Sequence, residues 1–209
     1  MAAKVITVAQ QKGGAGKTTL AAHLGVAMAQ GGKSVALVDI DPQGSLSRWA
    51  AVRESSGITE PALTVSQIQG WRTATEVDKL AASHDIVLID SPPHMETESR
   101  LAVRAANLVL VPIQPSPMDV WASESTIEMA DDEKSSCLLV LNRVPPRAKL
   151  VDKLKPHVKK LGAKLARTTI GNRIAMASSM FEGKGVTEGP KNRAAEELHA
   201  LAKEVMRLA

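Results

Sequence analysis

The stretch AQQKGGAGKTTLAAHL occupies residues 9–24, and the reading of the whole chain turns on it. It continues an apolar run, KVITVAQ at 4–10, and leads into a segment of helical composition. Gly13, Gly14 and Gly16 let the backbone turn tightly and present N–H groups to phosphate oxygens. A helix that opens directly after the glycines adds the positive end of its dipole. In this setting Lys17 contacts the β- and γ-phosphates of a nucleotide. The Thr18 hydroxyl ligates Mg²⁺, and Thr19 supports the α-phosphate. A second lysine, Lys12, stands ahead of the first glycine, either as an exposed loop residue or with a task of its own.

Outward from this loop, short runs rich in Val, Ile and Leu alternate with helical stretches. The runs at 4–10, 34–40, 85–91, 107–113 and 136–142 read as buried strands, with a sixth near 163–167. Their nearly continuous apolar character is that of parallel strands covered on both faces. Helices are expected near 17–30, 44–54, 73–83, 96–105, 119–133, 149–161, 173–182 and 191–208. This alternation predicts an α/β fold, a doubly wound and mostly parallel sheet flanked by helices. A single domain over 1–209 is expected, with its ligand at the C-terminal ends of the strands.

Carboxylates stand at those ends. The second strand closes in VDIDPQGS (38–45), where Asp39 and Asp41 lie two apart and so share a strand face. Asp39 has the alternative of capping the following helix or turn. The third run closes in VLIDSPP (87–93), an apolar strand ending in Asp90, which is the pattern of a carboxylate that holds Mg²⁺ through water. Two prolines then shape the turn.

Composition removes several function classes. Aromatic residues are 2% of the chain, with no Tyr, so base stacking on aromatic side chains is not expected as a way to hold single strands. Cys137 is the one cysteine, which excludes an intrachain disulfide and a cysteine-based zinc site. The five histidines form no metal pattern. The opening MAAKVITVAQQ reads as a strand rather than a signal peptide, and no run of about 18 apolar residues occurs, so the cytoplasm is the expected compartment. The charge is unevenly placed. Residues 1–142 carry 11 Lys and Arg against 16 Asp and Glu, whereas 143–209 carry 15 against 6. A basic third of this kind meets a polyanion or forms a solvated face.

The run KGGAGKT (12–18) resembles the deviant Walker A motif of the ParA/MinD family of P-loop ATPases. The resemblance continues in DIDPQ (39–43), in LIDSPP (88–93) with Ser91 where the family often has Thr, in VPIQPSPMDVWAS (111–123), and in 167–205. It implies the P-loop NTPase fold, ATP and Mg²⁺ as ligands, and hydrolysis that is slow without a partner. By this likeness the ATP-binding residues are Gly13, Gly14, Ala15, Gly16, Lys17, Thr18 and Thr19, with Asn142 reading the adenine as in some relatives. Asp41 orients the attacking water, and Asp39 supports the water and magnesium network beside Thr18 and Asp90. Lys12 is the signature lysine, which reaches the phosphates held by the other subunit of an ATP-dependent homodimer. No catalysis is assigned to Asp119. The likeness is closest to small ParA proteins without an N-terminal helix-turn-helix domain, which bind double-stranded DNA nonspecifically. It implies a nucleoid-associated ATP form and a ParB-like or other cargo-bound adaptor that stimulates hydrolysis. Lys149, Lys153, Lys160, Arg167 and Arg173 are the candidate DNA contacts.

Three alternatives remain open at this point: a MinD-like regulator at a membrane or protein target, a non-hydrolysing scaffold, and a metabolic P-loop enzyme. The last helix weighs against the membrane. Its apolar Leu198, Leu201, Ala202, Val205 and Leu208 sit among Glu196, Glu197 and Glu204 without bulky aromatics, a face suited to core docking rather than lipid.

Overall fold

A computed structural model describes residues 2–93, 96–146 and 150–209; Lys149, one of the candidate DNA contacts, lies outside the described residues. Seven strands form one parallel sheet. They are β1 (Lys4–Val8), β2 (Val35–Asp39), β3 (Thr64–Gln67), β4 (Ile86–Asp90), β5 (Leu108–Ile113), β6 (Ser136–Leu141) and β7 (Lys164–Leu165), in spatial order β3-β2-β4-β1-β5-β6-β7. Eight helices connect them: α1 (Lys17–Gln30), α2 (Ser45–Ser55), α3 (Thr73–Ala81), α4 (Glu96–Ala105), α5 (Pro117–Asp132), α6 (Leu150–Lys160), α7 (Ile174–Phe181) and α8 (Arg193–Leu208).

Six strands and all eight helices fall where the sequence places them. The seventh strand, β3, does not. Its residues TVSQ are partly exposed along an edge, so it lacks the apolar run that marks a buried strand. It exists because β2 offers a free edge, onto which Ala36 to Asp39 pair with Thr64 to Gln67.

Side chains alternate between the two faces of the sheet, as strand geometry demands. On one face Ile6, Val8, Leu37, Leu88 and Leu110 pack beneath α1, α2, α7 and α8. On the other, Val5, Val38 and Val87 meet α3 and α4, while Val109, Val111 and Leu139 meet α4, α5 and α6. The helix that follows the phosphate loop, α1, is buried nearly all round. Its Gly25 lies so close to β2 that an added Cβ would stand 2.7 Å from a methyl of Leu37. This contact fixes α1, and with it the loop, against the sheet.

Register places the site. Asp90 pairs with Val8 on one side and Asp39 on the other, so β1, β2 and β4 end level with one another. The loop after β1, the turn after β2 and the turn after β4 therefore converge at one end of the sheet.

Candidate phosphate and magnesium site

The loop between β1 and α1 is held open from outside. Gly14 and Gly16 have φ of +77° and +91°. An added Cβ at Gly16 would also lie 2.6 Å from the amide nitrogen of Asn142. Three side chains from beyond the loop bind its carbonyls. Asn142 Nδ2 donates to Ala15 O at 2.8 Å, Arg143 Nη1 to Gly14 O at 3.0 Å and Gln114 Nε2 to Gly14 O at 3.3 Å. With the carbonyls held in this way, the loop N–H groups and the first turn of α1 are left for an anion. The order of the loop is therefore set by residues more than 95 positions away in sequence.

Lys17 opens α1 and is buried. Its Nζ donates to Gln10 O at 2.9 Å. Burial lowers its pKa, while the nearby Asp90 and Asp41 carboxylates pull the other way. One residue on, Thr18 Oγ1 donates to Asp90 Oδ2 at 2.6 Å. Thr19 follows, partly exposed. The other oxygen of Asp90, Oδ1, is buried without a hydrogen-bond partner. Burial is the main cause that raises the Asp90 pKa to about 7, with the Asp39 charge adding to it and the Thr18 hydroxyl opposing. A buried carboxylate oxygen without a donor is costly unless a cation completes it. The residues fit Mg²⁺ on this ground. Among the described residues no group of three or more His, Cys, Asp or Glu forms a metal cluster. The site therefore suits an ion that takes one or two protein ligands and fills its shell with water and phosphate.

Asp39 and Asp41 divide the remaining tasks. Both oxygens of Asp39 are engaged. Oδ1 accepts from Asp41 N at 3.1 Å, and Oδ2 accepts from Ser47 N at 2.8 Å and Ser47 Oγ at 2.9 Å. These contacts make Asp39 a cap for α2 and the preceding turn, the alternative that its position in the sequence offered. Asp41 is different. Its Oδ1 accepts from Gln43 N at 2.9 Å, and its second oxygen meets no donor among the described residues. Asp41 is 9% exposed, and its charge reaches Lys17.

Lys12 lies at the same end of the sheet. Its Nζ is 2.7 Å from Asp119 Oδ2. Asp119 is almost wholly buried, whereas the lysine side chain is 37% exposed. The Ser116 hydroxyl also donates to Asp119, and it caps α5 by accepting from Asp119 N. Sequence reasoning left Asp119 without a role. The available signal was Ser116-Pro117, a cap followed by proline at the first helical position. That signal locates the helix start but not the lysine. Gln114 and Arg143 were likewise unassigned, and nothing local in the sequence marks them as loop clamps. Asn142 also serves the loop. Its Nδ2 holds Ala15 O and its Oδ1 accepts from Arg143 N at 3.0 Å, so its amide helps to organise the loop.

The basic candidates are not one patch. Lys153 and Lys160 are exposed on α6, seven residues apart on one face, and neither forms an ion pair among the described residues. Arg167 emerges after β7, near α8 on the opposite layer. Arg173 is spent in a two-point contact with Glu197, Nη2 to Oε1 at 2.5 Å and Nε to Oε2 at 3.0 Å. It is thereby removed from the set of free cations.

A phosphate loop at the C-terminal end of a parallel sheet, with Thr18 bonded to the buried Asp90 beside it, defines a nucleotide-binding P-loop protein. Residues 6–186 match the model of the CobQ/CobB/MinD/ParA nucleotide-binding domain, and the chain belongs to that family. It is 31% identical over 209 residues to maintenance of carboxysome distribution protein A of Halothiobacillus neapolitanus, covering 96% of this chain and 95% of that one. It is 26% identical over 252 residues to the sporulation initiation inhibitor protein Soj of Bacillus subtilis, covering 97% and 98%. In fold it resembles the cell division ATPase MinD of Pyrococcus furiosus, with a TM-score of 0.79 at 20% identity over 99% of both chains.

Proposed function

We propose that this chain is an ATP-driven switch that positions a cargo on DNA. The observation that carries the reading is the constellation at the strand ends: Lys17, a Thr18–Asp90 pair with one bare buried oxygen, and Asp41 with one oxygen free. The loop amides and Lys17 bind the phosphates of ATP. Thr18 and Asp90 hold Mg²⁺, which when bound supplies positive charge beside the phosphates. Asp41 orients a water and accepts its proton. The water oxygen bonds to the γ-phosphorus, the bond to the β–γ bridging oxygen breaks, and ADP and phosphate result. Lys12 leaves Asp119 and crosses to the phosphates of a second copy, so the homodimer depends on ATP. The ATP-bound dimer binds duplex DNA without sequence preference. Lys153 and Lys160 are the best placed of the basic residues for this, each adding a salt-sensitive phosphate contact. An adaptor on the cargo stimulates hydrolysis and release, and the ATP form sits on the nucleoid in the cytoplasm. The likeness to proteins named for carboxysome distribution and chromosome partitioning supports a positioning role. No helix is long and apolar enough to cross a membrane among the described residues. Leu198, Leu201, Ala202 and Val205 of α8 face the core, which favours DNA over a lipid surface.

The experiment is duplex binding by Asp41→Ala across a salt series, with ATP·Mg²⁺ against ADP·Mg²⁺. Binding only with ATP, weakening steeply with salt, is the expected result. Equal binding with both nucleotides, or none at low salt, defeats the DNA reading.

A further inference from the structure

The far end of α1, away from the phosphate loop, forms a groove with the last turns of α8. Its volume is about 890 Å³. Partly buried Met206 lines its apolar floor, above the core residues Met28 and Ala202. Methionine floors of this kind adapt to varied apolar side chains.

The rim has one sign. Lys33 stands after α1, Arg167 after β7, and Lys203 and Arg207 on α8. None of the four makes an ion pair among the described residues. The one carboxylate in the described lining, Glu204, is turned inward. Its oxygens accept from Arg167 N at 2.8 Å and Thr168 N at 3.0 Å. The groove therefore offers an apolar centre between cations, of which Lys203 and Arg207 on α8 are exposed and Arg167 lies within electrostatic reach of Glu204.

That combination selects an occupant. Duplex phosphates would satisfy the rim but leave the floor against solvent or sugar. A flat bilayer would reach the rim but could not follow the concave floor between α1 and α8. An amphipathic segment meets both, with apolar side chains at helical spacing on the floor and flanking Asp or Glu on the rim. We propose that this groove docks an acidic amphipathic segment of a partner protein. Met28 is eleven residues along α1 from Lys17, about 16 Å at the helical rise. Segment and nucleotide are therefore held at the same time. The proposal goes beyond the ATPase reading and does not rest on it.

The probe is a fluorescein-labelled synthetic helical peptide with Leu at i, i+3, i+4 and i+7 and Glu on both flanks, titrated with the full chain. Binding is expected at micromolar concentrations, with and without ATP. It is expected to be at least tenfold weaker for a scrambled peptide of the same composition and for Lys203→Glu/Arg207→Glu, whose exposed positions leave the core intact. Methyl NMR of the same titration is expected to shift Met28 and Met206. Circular dichroism and a thermal melt check that the variant is folded. Equal binding of the scrambled peptide, or an unaffected folded variant, overturns the proposal. So does a result in which a 30-base-pair duplex or phosphatidylglycerol vesicles, and not the peptide, lose binding in the variant.

Discussion

Lys12 is tied to Asp119 within its own chain at 2.7 Å, whereas the proposed reaction needs it on the phosphates of a second copy. The contact joins a partly exposed ammonium to a buried carboxylate. After solvent screening, freeing the lysine costs about 1 kcal/mol. Asp119→Asn keeps the shape and removes the charge. In an Asp41→Ala background with ATP, it is expected to lower the concentration for dimerisation by about thirtyfold, since each of the two chains frees a lysine, measured by analytical ultracentrifugation. Lys12→Ala is expected to leave the protein monomeric. A midpoint for Asp119→Asn that is unchanged or higher shows that the contact does not restrain the lysine. Asp119 also illustrates what residue type alone withholds. An aspartate in the first turn of a helix is ordinary, and its meaning comes from a lysine 107 residues away.

At the scale of elements, α1 is joined to α7 and to the turn at Val186–Glu188 through His23. Its Nδ1 accepts from Val186 N at 3.0 Å, which leaves the proton on Nε2, 3.2 Å from Met176 O. Burial lowers its pKa to about 4, with the Met176 carbonyl opposing. The unfolded chain takes up a proton near pH 6.5 that the folded chain refuses. Stability is therefore full above about pH 6.5 and falls with pH until about 4. The loss at pH 5 is about 2 kcal/mol. Urea midpoints at pH 7 and pH 5 measure it. His23→Gln is expected to remove most of this difference while costing about 1–2 kcal/mol at pH 7 through its lost hydrogen bonds. An equal fall in the variant assigns the acid sensitivity elsewhere. Elements also mark the limit of pattern reading. The apolar β2, β4 and β5 are plain from their composition, whereas β3 is an edge strand of four residues, three of them polar. Its strand character comes from β2 and not from itself.

Across the whole molecule, the basic third divides between two layers. The fold puts Lys153 and Lys160 on α6 and Arg167 near α8, and it consumes Arg173 on Glu197. Lys153→Glu/Lys160→Glu is expected to weaken ATP-dependent duplex binding and to reduce the slope of log affinity against log salt by about 2. Fluorescence anisotropy over 50–200 mM salt measures both. Arg173→Ala is expected to leave the slope unchanged and to cost about 1 kcal/mol of stability, because Glu197 loses its main cation. The reverse outcome, with Arg173 carrying the slope and α6 silent, moves the DNA surface to the other layer.

The sequence by itself determined the class of fold and the phosphate loop, and it marked Lys17, Thr18, Asp41 and Asp90 as candidates. These depend on local chemistry: glycines at fixed spacing, apolar runs that end in a carboxylate, and the alternation of strand and helix. Tertiary structure alone decided what those residues touch. It committed Asp39 to Ser47, Asn142 to the loop carbonyl of Ala15, Lys12 to Asp119 and Arg173 to Glu197. Each is a directional contact between groups that the winding of the sheet brings together, and three of the four join residues at least 24 positions apart. A hydrogen bond depends on distance and angle, and neither is written in the order of residues along the chain.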